Sequence, residues 1–184
     1  MSLTIKHLEQ LQEILQEKHL DYRMELEDGK IILMGPSDVY SSEIGIRFSW
    51  LLMNWVAPRN LGRVFDSSGG FILPNTDLKA PDVSFVLAER LRQSPRYFAQ
   101  MVPDLIVEIK SQSERIKPLQ EKVELFLSFG AQVGILIDPE QLTVRIYRLN
   151  SKQVVLNNTD TLKIPELIPG WEIPVVEIWP PVFE

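Results

Sequence analysis

The 184-residue sequence contains no cysteine and only two histidines, His7 and His19. The first absence removes disulfides, thiolate nucleophiles and cysteine-based zinc sites. The second removes a histidine triad and a zinc centre of several histidines, because both lie near the N-terminus at a spacing that suits no metal motif. No apolar run approaches the roughly 18 residues of a membrane span, so no membrane partner is expected. Lys6 to Gln10 interrupts any apolar leader, and a cytoplasmic location is the expectation. Basic charge is also short: 19 Lys and Arg stand against 25 Asp and Glu, a net charge of −6. That counts mildly against a broad nucleic-acid-binding surface. It leaves room for a local basic groove, and carboxylates gathered for Mg²⁺ would add to the same acidic total. Any catalysis is left to carboxylates, Lys, Arg, hydroxyls and amides, with a hard cation as the fitting cofactor.

What is present describes a globular chain. Hydrophobic residues are 45% and charged residues 24%, and the length suits one core, so residues 1–184 are expected to form a single domain. An N-terminal helix is expected over 4–18, with Ile5, Leu8, Leu11 and Leu15 on one side and Thr4 as its N-cap. Tyr22 to Leu26 alternates, Asp28-Gly29 marks a hairpin turn, and Ile31 to Met34 returns. Ser41 to Val56 has helical periodicity and stops before Pro58. Strands are expected near 62–66, 70–73, 82–87, 104–110, 132–138, 142–148 and 152–156. A helix is expected from about Lys117 to Phe129, closed by Gly130. A short helix between Glu89 and Gln100 is weakened by Pro95. The Pro-rich tail, 165–184, is expected to wrap the surface in short extended pieces. The fold class is mixed α/β (α+β), with parallel and antiparallel pairs in one sheet.

The segment Val102 to Ser113 carries the strongest chemical signal. Glu108 and Lys110 interrupt an apolar strand two residues apart, on the same face as Ile106. A carboxylate or ammonium in such a strand is costly unless paired or bound to metal. Acid-x-Lys alone is a weak signal, since this composition yields roughly 2.6 acid-x-base triplets by chance. Three acid-x-Lys matches occur: Asp28 to Lys30 in a hairpin turn, Asp77 to Lys79 in a Pro-flanked loop, and Glu108 to Lys110 in a buried-type strand. Context selects the third. Asp82, after Pro81, opens a second apolar strand, and two such strands can bring Asp82 and Glu108 together around a divalent ion. Lys110 would orient or deprotonate an attacking water, and Glu43, early in the long helix, would complete or charge-balance the site. Plainer roles stand beside these. Asp82 can cap a turn, Glu108 and Lys110 can form a ladder ion pair, and Glu43 can be a first-turn acid favoured by the helix dipole. Asp104 lies about 13 Å from Glu108 along the strand, too far to share one ion, and is assigned to strand entry.

The ordered set of motifs is more specific than any one of them. It comprises the Asp28-Gly29 hairpin, the Gly35-Pro36-Ser37 turn before a helix, Ser67-Ser68-Gly69-Gly70-Phe71, Ala80-Pro81-Asp82-Val83-Ser84, Pro103 through Ser111, Lys122, Phe129-Gly130 and Ile137-Asp138-Pro139. From about Tyr22 to Trp171 the chain resembles the Uma-two family of restriction-endonuclease-like proteins, within the PD-(D/E)xK nuclease superfamily. The resemblance implies a restriction-endonuclease-like fold, a central mixed β-sheet flanked by helices. It implies Asp82 and Glu108 as metal-binding acids, with the Ile109 carbonyl as a further oxygen ligand, and Lys110 as the catalytic lysine. Glu43 is similar in placement to the superfamily's helix acid, although relatives often show a His nearby. Lys122 matches a basic residue common in the family, and Gln120 sits where related nucleases often place a Gln.

The expected function is therefore Mg²⁺- or Mn²⁺-dependent endonucleolytic hydrolysis of DNA. The alternatives are a catalytically silent nuclease-fold module that binds DNA or protein, and a structural ion-pair network in an assembly subunit. A homodimer is expected, since cutting both strands needs two sites and Trp179, Val182 and Phe183 could pack on a partner.

Overall fold

The structure, a computed structural model, describes residues 2–20 and 22–184. It opens with helix α1 (Ile5–Glu17). The Thr4 N–H donates to His7 Nδ1 at 3.0 Å and closes the first turn. Strands β1 (Arg23–Glu27) and β2 (Lys30–Met34) form a hairpin. Its turn residues Asp28 and Gly29 both have positive φ, 47° and 70°, the backbone twist that a two-residue hairpin turn requires. Helix α2 (Val39–Val56) starts two residues earlier than the periodicity indicated. Asp38 is the cause: its Oδ1 accepts the Ser41 N–H at 2.9 Å and fixes the N-terminus ahead of the apolar stripe. That stripe is Ile44, Phe48, Leu52 and Val56, all fully buried. Burying four such side chains contributes roughly 6–10 kcal/mol as an upper bound.

The remaining strands are β3 (Gly62–Asp66), β4 (Phe71–Ile72), β5 (Leu78–Lys79), β6 (Val83–Leu87) and β7 (Leu105–Ile109). Then come helix α3 (Ile116–Ser128), β8 (Val133–Asp138), β9 (Thr143–Tyr147), β10 (Val154–Leu156), β11 (Thr161–Lys163) and β12 (Glu172–Pro174). The central sheet has the order β10-β9-β8-β7-β6-β3. Only β7 and β8 run parallel in it, and α3 supplies their crossover. A second sheet, β2-β1-β5-β4, stands beside it, and β11 pairs with β12. No helix forms between Glu89 and Gln100. Pro95 cannot donate a helical hydrogen bond, and the segment instead runs to a bridge between Ala99 and Phe71.

Alternation along β7 divides the core. Leu105, Val107 and Ile109 face α2, whereas Ile106 lies with Val123, Phe126 and Leu127 of α3. Gly134 on β8 lets α3 lie close, because a Cβ there would meet Val123 Cγ1 at 2.4 Å. The tail differs from the expected surface wrap. Leu167, Ile168, Trp171, Ile173, Val175, Ile178 and Trp179 are buried in the α2-side core. The Trp171 ring packs edge-on against Phe48 at 5.9 Å between centroids. Proline here spaces apolar residues that point inward. Trp179 is accordingly withdrawn from any partner surface, its indole N–H donating to Asn158 Oδ1 at 2.7 Å. Val182 and Phe183 are exposed. Among the described residues no helix is long and apolar enough to cross a membrane.

Candidate active site

The register of two strands brings the first acids together. Val83 on β6 pairs with Val107 on β7 in antiparallel register, so one further step sets Asp82 abreast of Glu108. Asp82 Oδ2 accepts the Ile109 N–H at 2.8 Å, which ties the end of β7 to the mouth of β6. Glu108 points toward α3, where Lys122 Nζ lies 3.0 Å from its Oε1. Among the described residues this ammonium is the cation in contact with the Glu108 carboxylate. Lys122 Nζ also stands 3.1 Å from Glu25 Oε1 on β1 and donates to the Ala80 carbonyl at 3.4 Å.

Glu25 is the hub between the two sheets. Its Oε1 accepts the Ala80 N–H at 2.9 Å, and its Oε2 lies 3.2 Å from Lys79 Nζ. Lys79, on β5 and almost fully buried, also pairs with Glu27. Four carboxylates (Glu25, Glu27, Asp82, Glu108) therefore share two ammonium groups (Lys79, Lys122). The cluster is two negative charges in excess when fully ionised.

That excess shapes the titration. Burial pushes Glu108 up to about 8; the Lys122 ammonium opposes the rise and the neighbouring Asp82 charge adds to it. Asp82 is also raised, first by desolvation, with the Ile109 N–H and Lys122 pulling it down and Glu114 and Glu25 pushing it up. Burial alone would raise Glu25 as well, but Lys122 and Lys79 outweigh it and hold the carboxyl low. Desolvation works against the charge on Lys122, yet Glu108, Glu25 and Asp82 together keep its pKa above that of an ordinary lysine. The direction that follows is a permanently charged Lys122 facing one acid, Glu108, poised to hold or release a proton.

The site is open to solvent. Asp82 is half-buried and lines two adjoining cavities, of about 550 and 1090 Å³. Glu108 is only 2% exposed, but with Lys122, Glu25 and Ile109 it lines the larger one. The wall of the smaller cavity includes Ser42, Gly45, Ile46 and Ser49 of α2. Asp38 positions that wall: its Oδ2 accepts the Gln112 N–H at 3.1 Å, locking the helix start to the chain leaving β7. Among the described residues no group of three or more carboxylate or imidazole side chains converges in a metal-holding geometry.

Other residues singled out in the sequence lie elsewhere. Lys110 extends over the β8–β9 turn, with its Nζ 2.9 Å from Glu140 Oε1 and 3.3 Å from the Ser111 carbonyl. It follows the last residue of β7, about 7 Å along the chain from Glu108, and Glu140 captures it there. Glu43 is half-buried on α2, one residue and so about 100° away from the face that lines the cavity. Gln120 makes an exposed contact to Glu124 at 2.8 Å. Asp104 accepts from Leu87 N–H, Arg90 and Gln132, which fixes the entry of β7. Glu25 and Lys79 were not singled out by sequence reasoning. Lys79 ends the Asp77 to Lys79 triplet that its Pro-flanked context set aside, and Glu25 was legible only as one face of an alternating hairpin strand.

A family model described as "Putative restriction endonuclease", Uma2, matches residues 7–176. The chain belongs to the Uma2 family. Its fold is shared with the crystal structure of a putative nuclease of the DUF820 group from Anabaena variabilis ATCC 29413. The TM-score is 0.77 at 20% identity, with 88% of this chain and 94% of that chain covered. No curated protein matches the chain. Asp82 and Glu108 thus sit on the mixed sheet of this shared fold, and the lysines that line the cavity beside them are Lys79 and Lys122.

Proposed function

We propose that the protein is a metal-dependent endonuclease that hydrolyses phosphodiester bonds in DNA, with Asp82, Glu108 and the Ile109 carbonyl holding Mg²⁺ or Mn²⁺. The observation that carries the reading is the pair of abreast carboxylates at a cavity wall, both with raised pKa, with the Lys122 ammonium beside them. This donor set fits Mg²⁺, which usually takes one or two carboxylates and completes its shell with water and substrate phosphate. Fully ionised, the cluster carries two negative charges in excess, which one divalent cation would neutralise as the Glu108 proton leaves. When bound, the cation would polarise the scissile phosphate and make a coordinated water more acidic.

The chain's own groups have distinct tasks in this reading. Asp82 is held at a fixed angle by the Ile109 N–H. Lys122 provides a permanent positive charge beside the reacting phosphate, where negative charge grows in the transition state. It takes the part that the sequence pattern gave to Lys110, because Lys122 Nζ is 3.0 Å from Glu108 and Lys110 is held by Glu140. Glu25 and Lys79 hold Lys122 from behind. The test is cleavage of supercoiled plasmid with Mg²⁺ or Mn²⁺. Asp82→Ala and Lys122→Ala are expected to lose activity, and Lys110→Ala to retain most of it. Equal activity in all preparations would point to a contaminant and end the proposal.

One observation favours a second reading. The Lys122 ammonium already contacts Glu108 and Glu25, as a silent module with a closed ion-pair network requires. Calorimetry with Mn²⁺ separates the two: a silent module shows no heat that depends on Asp82 and Glu108.

A further inference from the structure

The cavities that flank the acids are lined by three cations, Arg23, Lys79 and Lys122. Two are committed, since Lys79 pairs with Glu25 and Glu27, and Lys122 with Glu25 and Glu108. Arg23 is different. It is exposed, it forms no ion pair among the described residues, and it lines both cavities together with Asp82. Its guanidinium is aimed by neutral hydroxyls instead: Nη1 donates to Ser67 Oγ at 2.6 Å and Nη2 to Ser68 Oγ at 3.4 Å. Two N–H groups are thereby used and three remain for another acceptor.

Strand geometry places this group relative to the acids. Arg23 and Glu25 share a face of β1, about 7 Å apart along the strand. Arg23 is opposite Met34 and Glu25 opposite Ile32 in the hairpin register, and all four side chains belong to the cavity wall. A positively charged fork thus stands one strand step from the acid that anchors Lys122. On the other side of the smaller cavity, Ser37, Ser42 and Ser49 offer hydroxyl donors and no charge. In a groove that is otherwise acidic, the uncommitted and pre-aimed guanidinium is the group that offers an anion from solvent a favourable contact. The fork matches a phosphate in two-pronged contact.

We propose that Arg23, oriented by Ser67 and Ser68, grips the nucleic-acid backbone phosphate that flanks the scissile one and sets the register of the strand in the cleft. This rests on the nuclease reading of the site. The test is fluorescence anisotropy of the full chain with a short DNA duplex and Ca²⁺, over a salt series, for the wild type, Arg23→Gln and Arg23→Lys. Loss of one phosphate contact lowers the slope of log Kd against log salt by about 0.9, and Arg23→Gln is expected to show that drop with several-fold weaker binding. Arg23→Lys restores the slope without the full affinity, because it keeps the charge and loses the fork. In a set of duplexes that each carry one neutral methylphosphonate at a different step, at least one position weakens the wild type and leaves Arg23→Gln binding as it binds the unmodified duplex. Unchanged affinity and slope in Arg23→Gln, with a wild type that binds, would overturn the role of Arg23 alone. A wild type that binds no duplex at any salt concentration would overturn the nuclease reading and this inference with it.

Discussion

Neutralising Glu108 should stabilise the metal-free protein by an amount that grows as the pH rises from about 4.5 to about 8. The carboxyl is raised from 4.5 to about 8 in the folded chain, chiefly by burial. The folded state therefore keeps a proton that the unfolded chain releases between those two values. Stability conferred by that proton is complete below about pH 4.5, declines through the window and is gone above about pH 8. The difference between the two values, at about 1.36 kcal/mol per pH unit, bounds the effect at roughly 5 kcal/mol. Asp82 and Lys122 share the titration, so about 2 kcal/mol is the working expectation. Glu108→Gln keeps the shape and the neutral state at every pH. Thermal melts with chelator present are expected to coincide with wild type near about pH 5 and to rise by roughly 4–8 °C near about pH 9. A variant that melts below wild type at all pH values would refute the reasoning, because the Glu108–Lys122 contact would then be a net stabilising pair and not a crowded site awaiting a cation.

Other substitutions probe the same construction. Lys122→Met leaves Glu108 and Glu25 facing each other without their shared cation, and urea unfolding is expected to show a loss of about 3–5 kcal/mol. Asp104→Ala removes the acceptor of the Leu87 N–H, Arg90 and Gln132, and a loss of about 2–3 kcal/mol is expected by the same measurement. Gly134→Ala puts a methyl group against Val123 and pushes α3 from the sheet. It is expected to cost about 1–3 kcal/mol and, because Lys122 neighbours Val123, to lower plasmid cleavage more than stability alone explains.

Much of the fold could be read from periodicity. The Asp28-Gly29 hairpin, the stripe on α2 and the apolar runs of β6, β7 and β8 each have one low-energy arrangement. The meeting of Asp82 and Glu108 was legible because each stands at an interruption in a buried strand. Lys110 shows where that logic stops. Alternation predicts a face only while the strand continues, and beyond Ile109 the nearest carboxylate, Glu140, decides where the side chain goes. Glu25 and Lys79 were hidden for a different reason: their burial comes from docking one small sheet against another, which no local pattern encodes. The tail misled through composition, since proline density indicates extended chain but not which way its Ile, Val and Trp side chains point.

The seating of Trp171 on Phe48 has a consequence for synthesis. These rings are separated by more than a hundred residues, so α2 emerges from the ribosome long before its cover exists. Until Trp171 is made, the sheet already packs against this helix, but the side of Phe48 that the indole covers stays open. The wall of the cleft thus takes its final seat only after more than a hundred further residues have been added behind the helix.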